Sequence, residues 1–565
     1  MDSAFQIGGI ASGLDTASII NKLLEFDRQP IQRIEDKEQM LEWRKEALQE
    51  LNSQLFTLEQ KAQDLTFYST FNSRTATSSD SNVATATATT DAEFQTYNLS
   101  VTDIATAESD LGSQFSDPYA AIGTGSGSGT YTFKINGVSI TVPDNYSLVA
   151  VKDAINSANA GVSATIIDGR LLIKGNSTGA SNAITYEDSA DVSGSTDPSE
   201  VLEEVGILTD SKTVANQLEA ASDAHFSVNG VDITRSSNDV SDVINGVTFH
   251  LVGAGSTTIT IGLDEDKAVQ AVKDFITEYN KTIDFLNEKM NEKVVLNPKT
   301  DDEKKQGILR NDSIVQDAYY RLRWDMFSIV EGITGISNAS DVGISTGDTT
   351  SDAGAAVQQA LLGHLKLDED KFRQALRNDP EKVYLLFAKN SKESTDENVG
   401  TGDGTTTEFD LANKPVSWDT KPIVKVNGVE YEWVAQNPGA NQYTIDTING
   451  KIIFGSAPPA GATITATYSY ETDDTSYWGI AYKIKDYLHS LTEYGGIIDS
   501  EIGPTGSINT EIDELEKRKA DLQEMLNSKE QALWLKFTNM EEVVSKMQQQ
   551  SSWLAGQLTR LPGGY

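Results

Sequence analysis

Cysteine is absent from the 565 residues. Disulfides, thiolate nucleophiles and thiolate metal sites are therefore excluded. Two readings of that absence stand: chance loss in a cytosolic protein, or a chain that travels unfolded and never needs oxidative folding. Histidine is scarce, with His225, His250, His364 and His489 as the full set. None pairs at i, i+4 spacing and no H-E-x-x-H occurs, so structural or surface roles are expected. No apolar run approaches the roughly 20 residues of a membrane span. Met1 to Leu24 lacks a basic stretch leading into an apolar one, so no Sec-type signal peptide is expected. Positive charge is also short: 45 basic residues face 84 acidic ones, for a net charge of −39. Such a field repels phosphate backbones, and nucleic acid is not an expected partner.

What is present is a long chain with sharp changes of composition. At roughly 100–200 residues per domain, three to five domains are expected. Ser12 to Leu65 is rich in Leu, Glu, Gln, Lys and Arg. Pro30 interrupts it, and the pattern predicts a new helix from about Ile31. A seven-residue stride follows at Ile34, Leu41, Leu48, Leu55 and Ala62, with Leu51, Leu58 and Leu65 three residues on. This is an a/d heptad. Lys37 and Arg44 make its first two d positions polar. The other end repeats the logic. Ile508, Leu515 and Leu522 stride by seven, then Leu526, Leu533, Met540, Met547 and Leu554, with a second row at Phe537, Val544, Ser551 and Leu558. Gly503, Pro504 and Gly506 mark the start of that segment and Pro562-Gly563-Gly564 its end. Either heptad alone also fits an ordinary amphipathic helix in a bundle. Together they predict one antiparallel assembly whose seam includes Ile34, Leu41, Leu48, Leu55, Leu526, Leu533, Met540 and Met547.

Between the ends the chain alternates. From Thr75 to Leu263 it is rich in Ser, Thr, Asp, Gly and Val, with strand patterns such as Tyr131 to Ile135. Asn-Gly recurs at 136–137, 229–230, 245–246, 427–428 and 449–450, marking tight hairpins. Gly123 to Gly129 reads as a flexible loop, and Ser147 to Ala160 has helical spacing. Helical pattern returns at Ala268–Val294, Asp312–Val330 and Asp368–Phe387. A second β island spans about Val399 to Tyr470, and helix resumes at Trp478. The expected fold is multidomain α+β: an antiparallel coiled-coil or helical stalk formed by both termini plus central helices, with inserted mainly-β head modules. The expected limits are 1–70 for the N-terminal leg and stalk, 71–105 with 222–264 for a first β head, and 106–221 for a second. Helical stalk follows at 265–398, an inserted β-sandwich-like module at 399–472, and the C-terminal stalk and leg at 473–565.

Catalytic patterns are missing. Gly123 to Gly129 matches neither G-x-G-x-x-G nor G-x-S-x-G, and no G-x-x-x-x-G-K-[ST] occurs. Asp264-Glu265-Asp266 and Asp301-Asp302-Glu303 lack the glycine and ligand spacing of a calcium loop. They read as solvated charge or as acidic bias at a helix start. No enzyme activity, metal or cofactor is expected.

Ile10-Ala11-Ser12-Gly13-Leu14-Asp15-Thr16 resembles the opening motif of the flagellar filament-capping family, hook-associated protein 2. Arg28-Gln29-Pro30, Leu41-Glu42-Trp43-Arg44, Phe71 to Asp80 and Gln550-Ser551-Ser552-Trp553-Leu554 fit the same family. Ile135-Asn136-Gly137-Val138 resembles the short β repeat of flagellins and hook-associated proteins. The island at 399–470 departs from that core and is similar to small β-sandwich modules of phage tails and bacterial surface proteins. The resemblance implies a cap at the distal end of the flagellar filament that promotes folding and polymerisation of exported flagellin and prevents its loss. It implies an extracellular chain at the flagellum tip, secreted by the flagellar type III export apparatus. It further implies a homopentamer-like ring, with flagellin, hook–filament junction proteins and a C-terminally bound export chaperone as partners. In that reading Ile19, Ile20, Leu23, Leu24, Trp553, Leu554 and Leu558 face the filament or a neighbouring subunit. The β modules alone suggest an alternative, an extracellular adhesin or phage-tail-like binding protein. Such a protein needs a Sec signal and an anchor.

Overall fold

Asp15 starts the first helix. Its carboxylate accepts the Ser18 backbone N–H at 3.0 Å and the Ser18 hydroxyl at 2.7 Å. Those bonds satisfy a donor that a helix start leaves unpaired and hold the Asp15 carboxyl below its ordinary value. The helix then runs unbroken from Thr16 to Asp64, 49 residues or about 74 Å. Pro30 therefore lies inside a helix and does not begin one. Proline removes one backbone bond and costs roughly 3 kcal/mol. Ile20 and Leu24 before it, and Ile31 after it, are buried in one cluster with Leu526. Burial on both sides outweighs the local break.

The computed structural model describes residues 12–188, 200–346, 354–419 and 421–558. Ile10-Ala11 and Pro562-Gly563-Gly564 lie outside them. The described chain falls into two units, residues 71–267 and the remainder.

The larger unit is the helical stalk with its own β insert. The N-terminal helix runs beside a C-terminal helix of 52 residues, Ser507–Leu558. Its upper half packs into a bundle. Gln54 donates to Glu278 and Thr282 on the helix Glu265–Asn291, and Lys289 of that helix pairs with Glu50. Glu59, almost fully buried, accepts from His489 at 2.9 Å and from Thr492 at 2.5 Å on the helix Ile480–Thr492. Arg44, one of the polar seam positions, bridges Asp312 at 3.0 Å and Glu501 at 2.9 Å. Leu48, Leu51, Leu55 and Leu58 are wholly buried. The third helical region divides at Asp379 into Glu369–Asn378 and Pro380–Ala388, because Asp379 caps the second helix and Pro380 opens it.

The insert runs from Ser391 to Glu471. Its first strand, Ser391–Thr401, pairs antiparallel with its last, Thr463–Glu471. The polar stretch Ser391 to Asn398, outside the module limits of 399–472 expected from the sequence, is thus part of the insert as its edge strand. Eight strands enclose a core that includes Val424, Tyr443, Ile452, Phe454, Ile464 and Tyr468.

The smaller unit holds two cores. In the first, a five-stranded antiparallel sheet has the order Arg74–Ser78, Gly255–Leu263, Thr96–Asp103, Ala224–Val228, Val231–Arg235. Along Thr96–Asp103 the buried residues are Tyr97, Leu99 and Val101, the alternation of a half-buried strand. A three-stranded sheet containing Phe249 covers that face. The second core lies within residues 106–221 and packs the helix Leu148–Ser157 against strands bearing Phe133, Ile140, Leu171 and Ile173. Asn136-Gly137, Asn229-Gly230 and Asn427-Gly428 take positive φ at both residues, as a type I′ hairpin requires. The loop Gly123 to Gly129 is pinned where flexibility was expected. Asp144 accepts from the Gly127 and Gly129 N–H groups at 2.6 and 3.1 Å, and a Cβ at Gly125 would lie 2.2 Å from the Asp144 side chain.

Two outcomes follow from these buried positions. Leu48→Asp places a carboxylate at a fully buried seam position and should lower unfolding free energy by on the order of 3 kcal/mol or more, read by urea titration. In the smaller unit, Asp110 is fully buried beside Glu108 and accepts from the Tyr186 hydroxyl at 2.7 Å. Burial pushes its carboxyl from 3.8 up to about 6. The folded state binds more protons between those values, so stability is fully present below about pH 4 and falls as pH rises through about 6, by roughly 2–3 kcal/mol. Asp110→Asn keeps the acceptor for Tyr186 and should remove that dependence in melts compared at about pH 4 and about pH 8.

Candidate assembly interface

The lower stalk has only two described helices, and their pairing sets its chemistry. Lys45 donates to Asn509 at 2.7 Å, Lys37 pairs with Glu511, Lys519 with Glu38, and Lys529 with Asp27 at 2.6 Å. The Ser12 N–H donates to Glu541 at 3.1 Å. As one number falls the other rises, so the helices are antiparallel. Between these polar ties lie Ile20, Leu24, Ile31 and Leu526, with Leu522, Leu533, Trp534 and Phe537 packed against them.

At 100° per residue, Leu522, Leu526, Leu533, Phe537, Met540, Met547, Leu554 and Leu558 fall on one stripe of the C-terminal helix. Its upper part is covered by the N-terminal helix. Below Met540, opposite the first described turn of that helix, the same stripe is open. Met547 is 63% exposed, and Leu554 and Leu558 are similarly open. Trp553 is exposed as well, about 100° around the helix from Leu554 and outside the stripe. Leu23 and Phe26 on the N-terminal helix, and Leu14 just before it, add exposed apolar surface. Covering one leucine-sized side chain is worth about 1.5–3 kcal/mol. The leg end thus carries a sizeable driving force toward a partner surface.

The residues singled out in the sequence divide along that line. Ile34, Leu48, Leu55 and Leu526 are buried, while Leu41 and Leu533 are half-buried. Met540 and Met547 are exposed and belong to no seam among the described residues, because the described partner helix ends beside them. Ile20 and Leu24 are buried within the chain and present no outward contact. Ile19 is half-buried, and Leu23, Trp553, Leu554 and Leu558 are exposed. Phe26 and Leu14 were not singled out. The position of Phe26, three residues after Leu23, was the available signal.

Among the described residues no helix is long and apolar enough to cross a membrane, and no three His, Cys, Asp or Glu side chains gather as a metal site.

A family model described as flagellar hook-associated protein 2 C-terminus matches residues 221–549, and its N-terminal counterpart matches 12–108. A flagellin hook IN motif matches 123–177. The chain is 28% identical to a flagellar hook-associated protein 2 of Thermotoga maritima, over 75% of this chain and 54% of that protein. The match thus spans about half the length of that relative. It is 28% identical to the Halalkalibacterium halodurans protein of the same name, over 68% of this chain and 79% of that one. The crystal structure of the Escherichia coli flagellar cap protein FliD D1-D2-D3 domains aligns with 81% of this chain and 99% of that one, at 23% identity and a TM-score of 0.47.

The covered and open parts of the stripe should respond differently to charge. Met547→Glu combined with Leu554→Glu should move unfolding free energy by about 0.5 kcal/mol or less. Leu526→Glu should cost several times that by burying an unpaired carboxylate. Circular dichroism melts of the two variants, side by side, check this.

Proposed function

The chain belongs to the flagellar hook-associated protein 2 family, and from that premise we propose that it is the structural cap at the distal end of a bacterial flagellar filament. There it promotes folding and polymerisation of exported flagellin and prevents its loss. The observation that carries this reading is the open apolar stripe at the end of a leg built from both ends of the chain. An amphipathic helix surface left uncovered is suited to a partner helix.

In this reading the role is structural, with no catalytic step. Met547, Leu554, Leu558 and Trp553 contact filament or a neighbouring subunit, joined by Leu23, Leu14 and Phe26. Ile20 and Leu24 act indirectly by fixing the leg's two helices together. Copies associate into a homopentamer-like ring. Hook–filament junction proteins and a C-terminally bound export chaperone complete the set of partners. The chain works outside the cell at the flagellum tip after type III export. The same reading makes residues 391–471 a separately folding insert. The adhesin alternative rests on the β modules alone and leaves the open leg without a purpose.

Deletion of the encoding gene should give cells with hooks, no filaments, and flagellin monomer in the medium. A complementing copy carrying Met547→Glu and Leu554→Glu should be produced but fail to restore filaments under electron microscopy. Normal filaments in the deletion strain would overturn the cap assignment.

A further inference from the structure

The Asn-Gly pairs of the chain differ in how the asparagine side chain is held. Asn136, Asn229 and Asn427 share one clip. Each donates its backbone N–H to the carbonyl of a residue outside its own hairpin, and its Oδ1 accepts the N–H of that same residue. Asn136 grips Thr185 in this way at 2.9 and 3.0 Å, and Asn229 grips Asn98 at 2.8 and 2.9 Å. Asn427 grips Thr463, with both bonds at 2.9 Å. The clip holds each carboxamide beside the asparagine's own N–H. It is thereby kept from the nitrogen of the glycine that follows.

Asn245 has no clip. Its hairpin joins Asp239–Ile244 to Val247–Leu251, with Ile244 opposite Val247. Asn245 is exposed, and its side chain makes no hydrogen bond among the described residues. Only Gly246 of the pair has positive φ, at +73°, so Asn245 lacks the left-handed geometry of the three clipped asparagines. The backbone of the turn is fixed all the same, because the Gly246 carbonyl accepts the Thr89 N–H at 2.8 Å. An untethered carboxamide thus neighbours a backbone nitrogen that no side chain shields. Asn449 stands between the two cases: its Nδ2 donates to Asp446 at 2.8 Å, but its side-chain oxygen grips no neighbouring backbone among the described residues.

We propose that Asn245-Gly246 is a site of spontaneous deamidation in the folded protein. The Gly246 nitrogen attacks Cγ of Asn245. The N–Cγ bond forms, the Cγ–Nδ2 bond breaks, and the Gly246 amide proton leaves on the departing ammonia. Water then opens the cyclic imide at either carbonyl, giving aspartate or isoaspartate. At Asn136, Asn229 and Asn427 the same step first has to break the clip. The isoaspartyl product lengthens the backbone of a two-residue loop by one methylene, and loop length sets hairpin register. The lesion therefore falls on the three-stranded sheet that covers the first core of the smaller unit. The site is a property of the chain alone and stands whether or not the chain caps a filament.

The full-length chain is incubated in mildly alkaline buffer, once folded and once in denaturant, and its peptides are followed by mass spectrometry. In the folded chain the Asn245 peptide should convert about tenfold faster than those of Asn136, Asn229 and Asn427, the factor that one hydrogen bond adds to a barrier. In denaturant the four rates should converge. Asn245→Gln serves as the blank for that peptide. Thr463→Pro removes the N–H that holds the Asn427 Oδ1, at the first residue of a strand, where proline is tolerated. It should speed conversion at Asn427 by about tenfold and leave Asn245 unchanged. Equal rates at the four sites in the folded chain, or an Asn245 that converts only in denaturant, overturn the proposal. An unchanged Asn427 rate in Thr463→Pro overturns the clip as its cause.

Discussion

The Lys529–Asp27 ion pair joins residues 502 positions apart, and the Ser12–Glu541 bond joins residues 529 apart. Both β-bearing regions and the upper bundle are strung between these contacts. Loop-closure entropy grows only logarithmically, by about 0.6 kcal/mol per doubling of length. Once the two terminal helices pair, the chain between them can accommodate large excursions at little further cost. The upper bundle gives that pairing its stability, because there the N-terminal helix is buried against three others and contributes Leu48, Leu51, Leu55 and Leu58. The lower leg has only a four-residue buried cluster. Its cross-helix pairs Lys37–Glu511 and Lys529–Asp27 are largely exposed, and each is worth about 1 kcal/mol or less. The leg is thus the part of the stalk that yields most readily to a partner.

Net charge works against association. With 84 acidic and 45 basic residues, copies repel at long range and stay dispersed. Attraction must then come from short-range features that screened charge does not cancel. The open stripe of the C-terminal helix is apolar and projecting. A surface of this kind gains only on close, shape-matched contact. Long-range repulsion with local apolar anchors favours ordered assembly over indiscriminate clumping.

The heptads were legible because periodicity reports which face of a helix seeks burial. Ile34, Leu48, Leu55 and Leu526 answer it directly. Where the seam stops was not legible. Met540 and Met547 continue the same period, but their exposure depends on where the partner helix ends, a property of the pair. Pro30 misled for a related reason: a local rule was overridden by burial on either side. The Asn-Gly hairpins at 136, 229 and 427 were readable because φ preference is a property of two residues alone. The Gly123 to Gly129 loop was misread as flexible because its order comes from Asp144, seventeen residues past Gly127.

One rule recurs at each level of the architecture: the first element of a segment pairs with its last. The N-terminal helix pairs with the C-terminal helix. Arg74–Ser78 opens the smaller unit and pairs with Gly255–Leu263, which closes it. Inside that unit, Ser109–Gln114 pairs with Gln217–Glu219 at the two ends of the second core. In the stalk insert, Ser391–Thr401 pairs with Thr463–Glu471. Antiparallel pairing of this kind places entry and exit side by side. An insert closed at its own base imposes no stretch on the host helices, and its core is completed by its own residues. That is why Val424, Phe454 and Tyr468 form a cluster separate from the stalk seam. The outer modules can therefore vary in size and surface while the leg geometry, and the register of the stripe below Met540, stay fixed by the helices that enclose them.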